Sequence, residues 1–221
     1  MTKKKATKKQ EEKKQEEKQE QIILLANGSG GQAEEEMRCI GIIGEINEEK
    51  ATETLYGMLS MHNTAEQEVL VDEEDPSKGT QTVVNPFEMI ISTYGGSAVE
   101  MFGIYDMMRR IRQDCPIHST AIGKVMSAGV LLLAAGTKGQ RRIGANCRVM
   151  IHDVKGGSMG DVTDLENEFA EIKWIQERYI KILAAETDMT ENYIKKLIKK
   201  KVNVYISAQE AVELGIADEI F

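Results

Sequence analysis

Three short segments of the chain carry residue types that together could perform acyl transfer. In Gly123-Lys124-Val125-Met126-Ser127-Ala128-Gly129, a serine stands where a turn enters an apolar helix. A serine hydroxyl attacks a carbonyl only when a base takes its proton and fixed donors receive the oxyanion. The amide of Ala128, with the partial positive charge of the helix start, would face that oxygen. Gly95-Gly96 closes one strand and opens another helix, so the Gly96 amide would be the second donor. Glycine there permits positive φ and the close approach of a chain. His152 ends the strand Arg148-Val149-Met150-Ile151 beside glycine-rich sequence, where its ring can enter a cleft as the base. Each feature alone has an ordinary reading: an N-cap, a turn, a structural histidine. Their joint occurrence in this order is what points to chemistry. His62 ends a surface helix and His118 lies within a strand after Cys115-Pro116, so neither is as well placed.

The elements that must hold these segments alternate between strand and helix. Arg38–Gly44 is expected as a first buried strand. A helix follows over Asn47–His62, capped by Asn47, with Ala51, Leu55, Met58 and Leu59 at helical spacing. The polar stretch Ala65–Val84 is expected as a loop or loose hairpin. Phe87–Ser92 is a strand running into Gly95-Gly96, and Ala98–Arg112 a helix. The pattern repeats with a strand at Ile117–Ile122, a turn at Gly123–Met126 and a buried helix at Ser127–Ala135. Short strands follow at Arg142–Ile143 and Arg148–His152, then a glycine-rich excursion at Gly156–Gly160. Thr163–Thr187 is a long helix with Leu165, Phe169, Ile172, Ile175, Tyr179 and Ile182 on one stripe. A shorter helix begins near Thr190, Val204–Ile206 is a last strand, and Ser207-Ala208-Gln209-Glu210 is a capping box. Such alternation implies an α/β fold with a mostly parallel sheet.

Bulk properties narrow the function. The net charge is −8; eight Lys against five Glu give residues 1–21 a charge of +3 and leave −11 on the rest. A body this acidic is a poor nucleic-acid binder. Residues 1–36, a Lys/Glu-rich tail and a Gly-rich linker, are expected to be disordered, with the folded domain at 37–221. No run of 18 apolar residues is present, which argues against a membrane span, and the Lys/Glu-rich start resembles no secretory or transit leader. Cys39, Cys115 and Cys147 are odd in number and widely spaced. They read as reduced, half-buried residues of a cytoplasmic protein, with no metal cluster and no cofactor expected.

The motifs resemble those of one family. Gly-(x)3-Ser-Ala-Gly before a Leu-rich helix, Arg-Val-Met-Ile-His about 20 residues later, and Ser-Ala-x-Glu-Ala-x-x-x-Gly near the C-terminus are similar to the ClpP-type proteolytic subunit of the ATP-dependent Clp protease. Tyr94-Gly95-Gly96 and Gly103-Ile104-Tyr105-Asp106 resemble that family's Ser-Pro-Gly-Gly and Ile-Tyr-Asp segments. The resemblance spans Arg38–Phe221 apart from the 65–84 insertion. It implies a ClpP/crotonase-like fold of repeated β-β-α units with a protruding handle helix at Thr163–Thr187. It further implies a self-compartmentalising serine endopeptidase that cleaves unfolded polypeptides to short peptides. Ser127 is then nucleophile, His152 general base, and the Gly96 and Ala128 amides the oxyanion hole. Gly156–Gly160 would lie by the ring–ring contact and the substrate strand. The implied partners are further copies of the chain in stacked heptameric rings, and an AAA+ unfoldase. ATP would be used only by that unfoldase, since this chain has no Gly-x4-Gly-Lys-Ser/Thr loop.

Two segments depart from the family pattern. Where the family has its third triad residue, an aspartate, this chain has Asn203. An asparagine can accept from Nδ1–H of His152 but brings no negative charge to the imidazolium, which predicts slowed or conditional peptidase activity. On the strand before Gly95-Gly96, Glu88 and Ile90 stand where the family displays docking tyrosines. Two other readings stay open at this point: a non-catalytic or conditionally active ring subunit, and a crotonase-type acyl-CoA enzyme, for which no separate CoA-binding signal is seen.

Overall fold

The computed structural model describes residues 37–72, 75–200 and 202–221. The tail at 1–36 lies outside the described residues. Arg38–Phe221 forms one compact unit.

The strands are β1 (Cys39–Ile46), β2 (Glu66–Leu70), β3 (Thr80–Val84), β4 (Phe87–Gly96), β5 (Ile117–Met126), β6 (Arg141–Ile143), β7 (Arg148–Ile151), β8 (Val204–Ile206) and β9 (Glu219–Ile220). The helices are α1 (Glu48–Asn63), α2 (Ala98–Ile111), α3 (Ala128–Ala134), α4 (Val162–Glu186), α5 (Glu191–Ile198) and α6 (Ala208–Glu213).

Strands β1, β4, β5, β6 and β9 follow one another across the main sheet. β7 also joins β5, and β8 joins β7. One edge of β5 is therefore shared. Its start, Ser119–Ala121, pairs with β6, while its end, Lys124–Met126, pairs with β7. Every pairing in this sheet is parallel except that of β7 with β8. Parallel alignment brings the carboxyl ends of β4, β5 and β7 to one side of the sheet, which is where α/β folds place ligands.

Side chains alternate across the strands. In β4, Phe87, Met89 and Ile91 are buried, while Glu88 and Ile90 face the opposite way and are half-buried. There Glu88 accepts a hydrogen bond from Thr120 Oγ1 at 2.7 Å. α3 is apolar on all sides and all seven of its residues are buried, packed against β4, β5, α2 and α4.

Several boundaries differ from expectation. The strand at 117–122 continues through the expected turn to Met126, and positive φ at Gly123 together with a register shift against β4 absorbs the irregularity. β1 was expected to be buried, but as the sheet edge it buries only Ile42 and Ile46. The 65–84 stretch forms an antiparallel β2–β3 hairpin whose side chains are mostly exposed. The strand β9 was not anticipated; a two-residue strand is too short to show periodicity. Asn47 caps α1 and the Ser207–Glu210 capping box forms as expected. Cys115 and Cys147 are fully buried rather than half-buried, and all three cysteines are free.

Candidate active site

Ser127 stands between the end of β5 and the start of α3, with φ 53° and ψ −119°. Among the described residues it is the only non-glycine with positive φ. An L-residue held there is strained, so the surrounding structure must enforce it. Three contacts do so. The Ser127 amide donates to Met150 O of β7 at 2.8 Å. Its carbonyl accepts from the Val130 amide at 3.1 Å and from the Tyr179 hydroxyl at 3.3 Å. The side chain makes no capping hydrogen bond. The ordinary reading of this serine, a helix cap, therefore does not hold, and the hydroxyl is left available.

Gly95, at φ +100°, lies against this serine. A Cβ at Gly95 would sit 2.6 Å from Ser127 Cβ and 3.1 Å from its Oγ. The Gly95 amide donates to the buried Thr93 hydroxyl at 2.9 Å, which fixes the bend at the end of β4. At Gly96 a Cβ would come 2.1 Å from Ile46 O, so only glycine fits between the ends of β1 and β4. Ala128 is the first residue of α3, and amides in that turn have no partner within the helix.

Ser127, Ala128, Gly96 and His152 line one cavity of about 350 Å3, together with Tyr94 and Tyr179. Four of the five residues singled out from sequence are thus brought together. No hydrogen bond joins Ser127 to His152 among the described residues, and His152 Nδ1 is buried without a partner. Catalytic hydrogen bonds are often long before substrate is bound.

Asn203 is exposed and makes no hydrogen bond with His152. In the backbone it directly precedes β8. β8 runs antiparallel to β7, with Ile151 opposite Val204 and Met150 opposite Tyr205. The pairing ends there, with His152 following β7 and Asn203 preceding β8. His62 pairs instead with Asp114 at 3.0 Å, away from the cavity.

Tyr179 and Tyr94 are among the cavity residues that the sequence does not mark as part of a site. Tyr179 was read only as part of the apolar stripe of the long helix; its hydroxyl acts across the fold, and spacing cannot show that. Tyr94 is exposed at the mouth, with the Lys124 ammonium 4.5 Å from its ring centre. Among the described residues no group of three His, Cys, Asp or Glu could hold a metal ion, and no helix is long and apolar enough to cross a membrane.

Comparison with known proteins agrees with this geometry. The ATP-dependent Clp protease proteolytic subunit 1 of Prochlorococcus marinus subsp. pastoris is 36% identical over 156 residues, covering 69% of this chain and 72% of the relative. The protein of the same name from another Prochlorococcus marinus strain is 35% identical over 152 residues, with the same coverage of 69% and 72%. That from Salinibacter ruber is 34% identical over 135 residues, covering 61% of this chain and 56% of the relative. The Clp protease family itself matches residues 35–221. A strained serine and a histidine in one cavity at the carboxyl ends of parallel strands, within a match of that length, make this chain a member of the Clp protease family, a ClpP-type serine endopeptidase subunit.

Proposed function

We propose that the chain cleaves unfolded polypeptides through an acyl-enzyme on Ser127. His152 takes the Ser127 proton as Oγ attacks the scissile carbonyl, and the Gly96 and Ala128 amides receive the oxyanion. Collapse of the tetrahedral intermediate breaks the C–N bond, and His152 returns the proton to the departing amine. Water, deprotonated by His152, then releases the acyl peptide and frees the serine. The observation that carries this reading is the strained, uncapped Ser127 in the same cavity as His152.

Asn203 is the third member of the site in this reading. Its amide oxygen would accept from Nδ1–H of His152 after a side-chain rotation, as its place directly before β8, which pairs with β7, supports. The chain works in stacked, heptameric rings of its own copies. The exposed first half of α4, with Leu165 and Phe169 outward, supports its role as the handle between rings. Folded substrates are delivered by an AAA+ unfoldase that uses ATP, and the peptidase needs no cofactor of its own. The compartment is cytoplasmic, which the free cysteines support.

The test is reaction of the purified protein with a fluorophosphonate probe, read by intact mass. One adduct per chain is expected, absent in Ser127→Ala. Equal labelling of Ser127→Ala would remove Ser127 from the mechanism.

A further inference from the structure

A second cavity, of about 580 Å3, lies between α2 and the C-terminal half of α4. Arg109 and Arg112 reach it from α2, Arg178 and Lys181 from α4, and Lys138 from the turn before β6. The acid on its wall, Glu186, is already engaged. Arg112 holds it through both oxygens at 2.7 and 2.9 Å, and the Tyr105 hydroxyl donates to it at 2.8 Å. Among the described residues, Arg109, Arg178 and Lys181 have no carboxylate partner.

Arg109, Arg178 and Lys181 are exposed to solvent, so a ligand could reach them. Each helix presents a like-charged pair at i,i+3, and the two pairs face one cavity. Five cations against one engaged carboxylate leave an excess of four, in a chain whose net charge is −8. Burial, and then the neighbouring Arg141, pull the Lys138 ammonium below its ordinary pKa, against the opposing pull of Glu186, Asp218 and Asp188.

We infer that this cavity is an anion site whose ligand is an oligophosphate chain. Guanidinium groups grip phosphate oxygens in pairs, and three free cations suit several linked phosphates better than one carboxylate. The cavity volume exceeds what a single phosphate fills. The Tyr105 ring already carries the Arg109 guanidinium, 5.9 Å from its centre, so it is not open as a stacking platform for a base. The recognised chemistry is therefore the phosphate chain itself, whether inorganic or on a nucleotide. The cavity shares α2 and α4 with the catalytic cavity, one or two turns further along each helix.

The experiment is isothermal titration and thermal unfolding of the full chain with sodium tripolyphosphate. NaCl at matched ionic strength is the control, and magnesium-free ATP the second ligand. Tripolyphosphate is expected to bind saturably and raise Tm beyond the salt control. The variant Arg109→Gln/Arg178→Gln/Lys181→Gln should fold with unchanged Tm and lose affinity by about tenfold or more. If that variant fails to fold, Arg178→Gln/Lys181→Gln serves in its place. ATP binding as tightly as tripolyphosphate would assign a nucleotide source; ATP binding more weakly would assign an inorganic one. Shifts no larger than the salt control, an adventitious ion only, would overturn the proposal. So would full affinity in the variant. Loss of ring assembly by the variant without phosphate would also overturn it, since the cations would then be pairing with a neighbouring copy.

Discussion

The Tyr179 hydroxyl, carried on α4, donates to the carbonyl of Ser127 at 3.3 Å. One side chain thus ties the long helix to the residue whose backbone is most strained. Tyr179 is buried, and burial pushes its phenol well above the usual range, so it stays a donor at any pH the enzyme meets. Tyr179→Phe removes the bond and keeps the ring. A net hydrogen bond of about 1 kcal/mol predicts a loss of about fivefold in kcat/KM. The check is peptide hydrolysis alongside Tm, which should fall by only about 2–4 °C. A large fall in Tm with the probe rate unchanged would make the residue merely structural.

Gly95 and Ser127 are in direct contact. Gly95→Ala would place a Cβ 2.6 Å from Ser127 Cβ at a φ of +100° that an L-residue resists. The serine must shift, and a displacement near 1 Å costs about a hundredfold in rate. Fluorophosphonate labelling should slow by that order, while circular dichroism reports a folded chain.

Much of this site was legible in the sequence because it is local. Ser127 before a Leu-rich helix, Gly95-Gly96 at a strand's end and His152 after Arg-Val-Met-Ile are each set by short-range pattern, and parallel pairing brings them together. What was hidden depends on distant partners. No pattern shows that β1 would be the sheet edge, since an edge strand and a central one share alternation. The strand end at Gly123–Met126 looked like a turn because glycine signals both. Tyr179 sat in an apolar stripe that gave no hint of its hydroxyl's use. The cationic cavity joins residues from three separate segments, 109–112, 138 and 178–181, none of which is notable alone.

Glu186 is a buried acid, with its side chain 5% exposed beside Arg112. Burial alone would raise its carboxyl, but the hydrogen bonds from Arg112 and Tyr105 and the charges of Arg112 and Lys138 outweigh this and hold it below the usual range. Asp218 is treated likewise: burial raises it, and its bonds and charge contact with Arg141, with the Gly139 amide, bring it lower. A carboxyl depressed in the folded state adds stability above its unfolded pKa, about 4. That stability is lost as pH falls through the folded value. Tm should stay level from neutral pH to about 5 and fall steeply below about 4. Glu186→Gln should start lower, by about 3 kcal/mol because Arg112 is left with an unmatched charge, and show a shallower acid decline. Thermal unfolding across pH measures both.

Phe169 lies in the first half of α4 and is 58% exposed, with the Lys173 ammonium 4.4 Å from its ring centre. If this surface joins rings, Phe169→Glu places like charges at every repeat of the contact. Native mass spectrometry and light scattering should then show single rings where the parent forms pairs. Stacked rings unchanged in mass would remove Phe169 from the interface.

His152 and Asn203 each lie one residue beyond the last β7–β8 pair, Ile151 opposite Val204, and the Nδ1 of the histidine has no acceptor among the described residues. Asn203→Asp supplies a carboxylate at that place. It would accept from Nδ1–H, fix the tautomer that leaves Nε2 free for the serine proton, and stabilise the imidazolium that forms. Acylation by the probe should quicken by about tenfold or more. A nearby negative charge also favours the protonated ring, so the lower limb of the rate profile should move to higher pH. Asn203→Ala should fall below the parent if the amide already orients the ring during turnover. Rates equal across all three would show that His152 works without a third residue, with the serine–histidine pair as the whole catalytic unit.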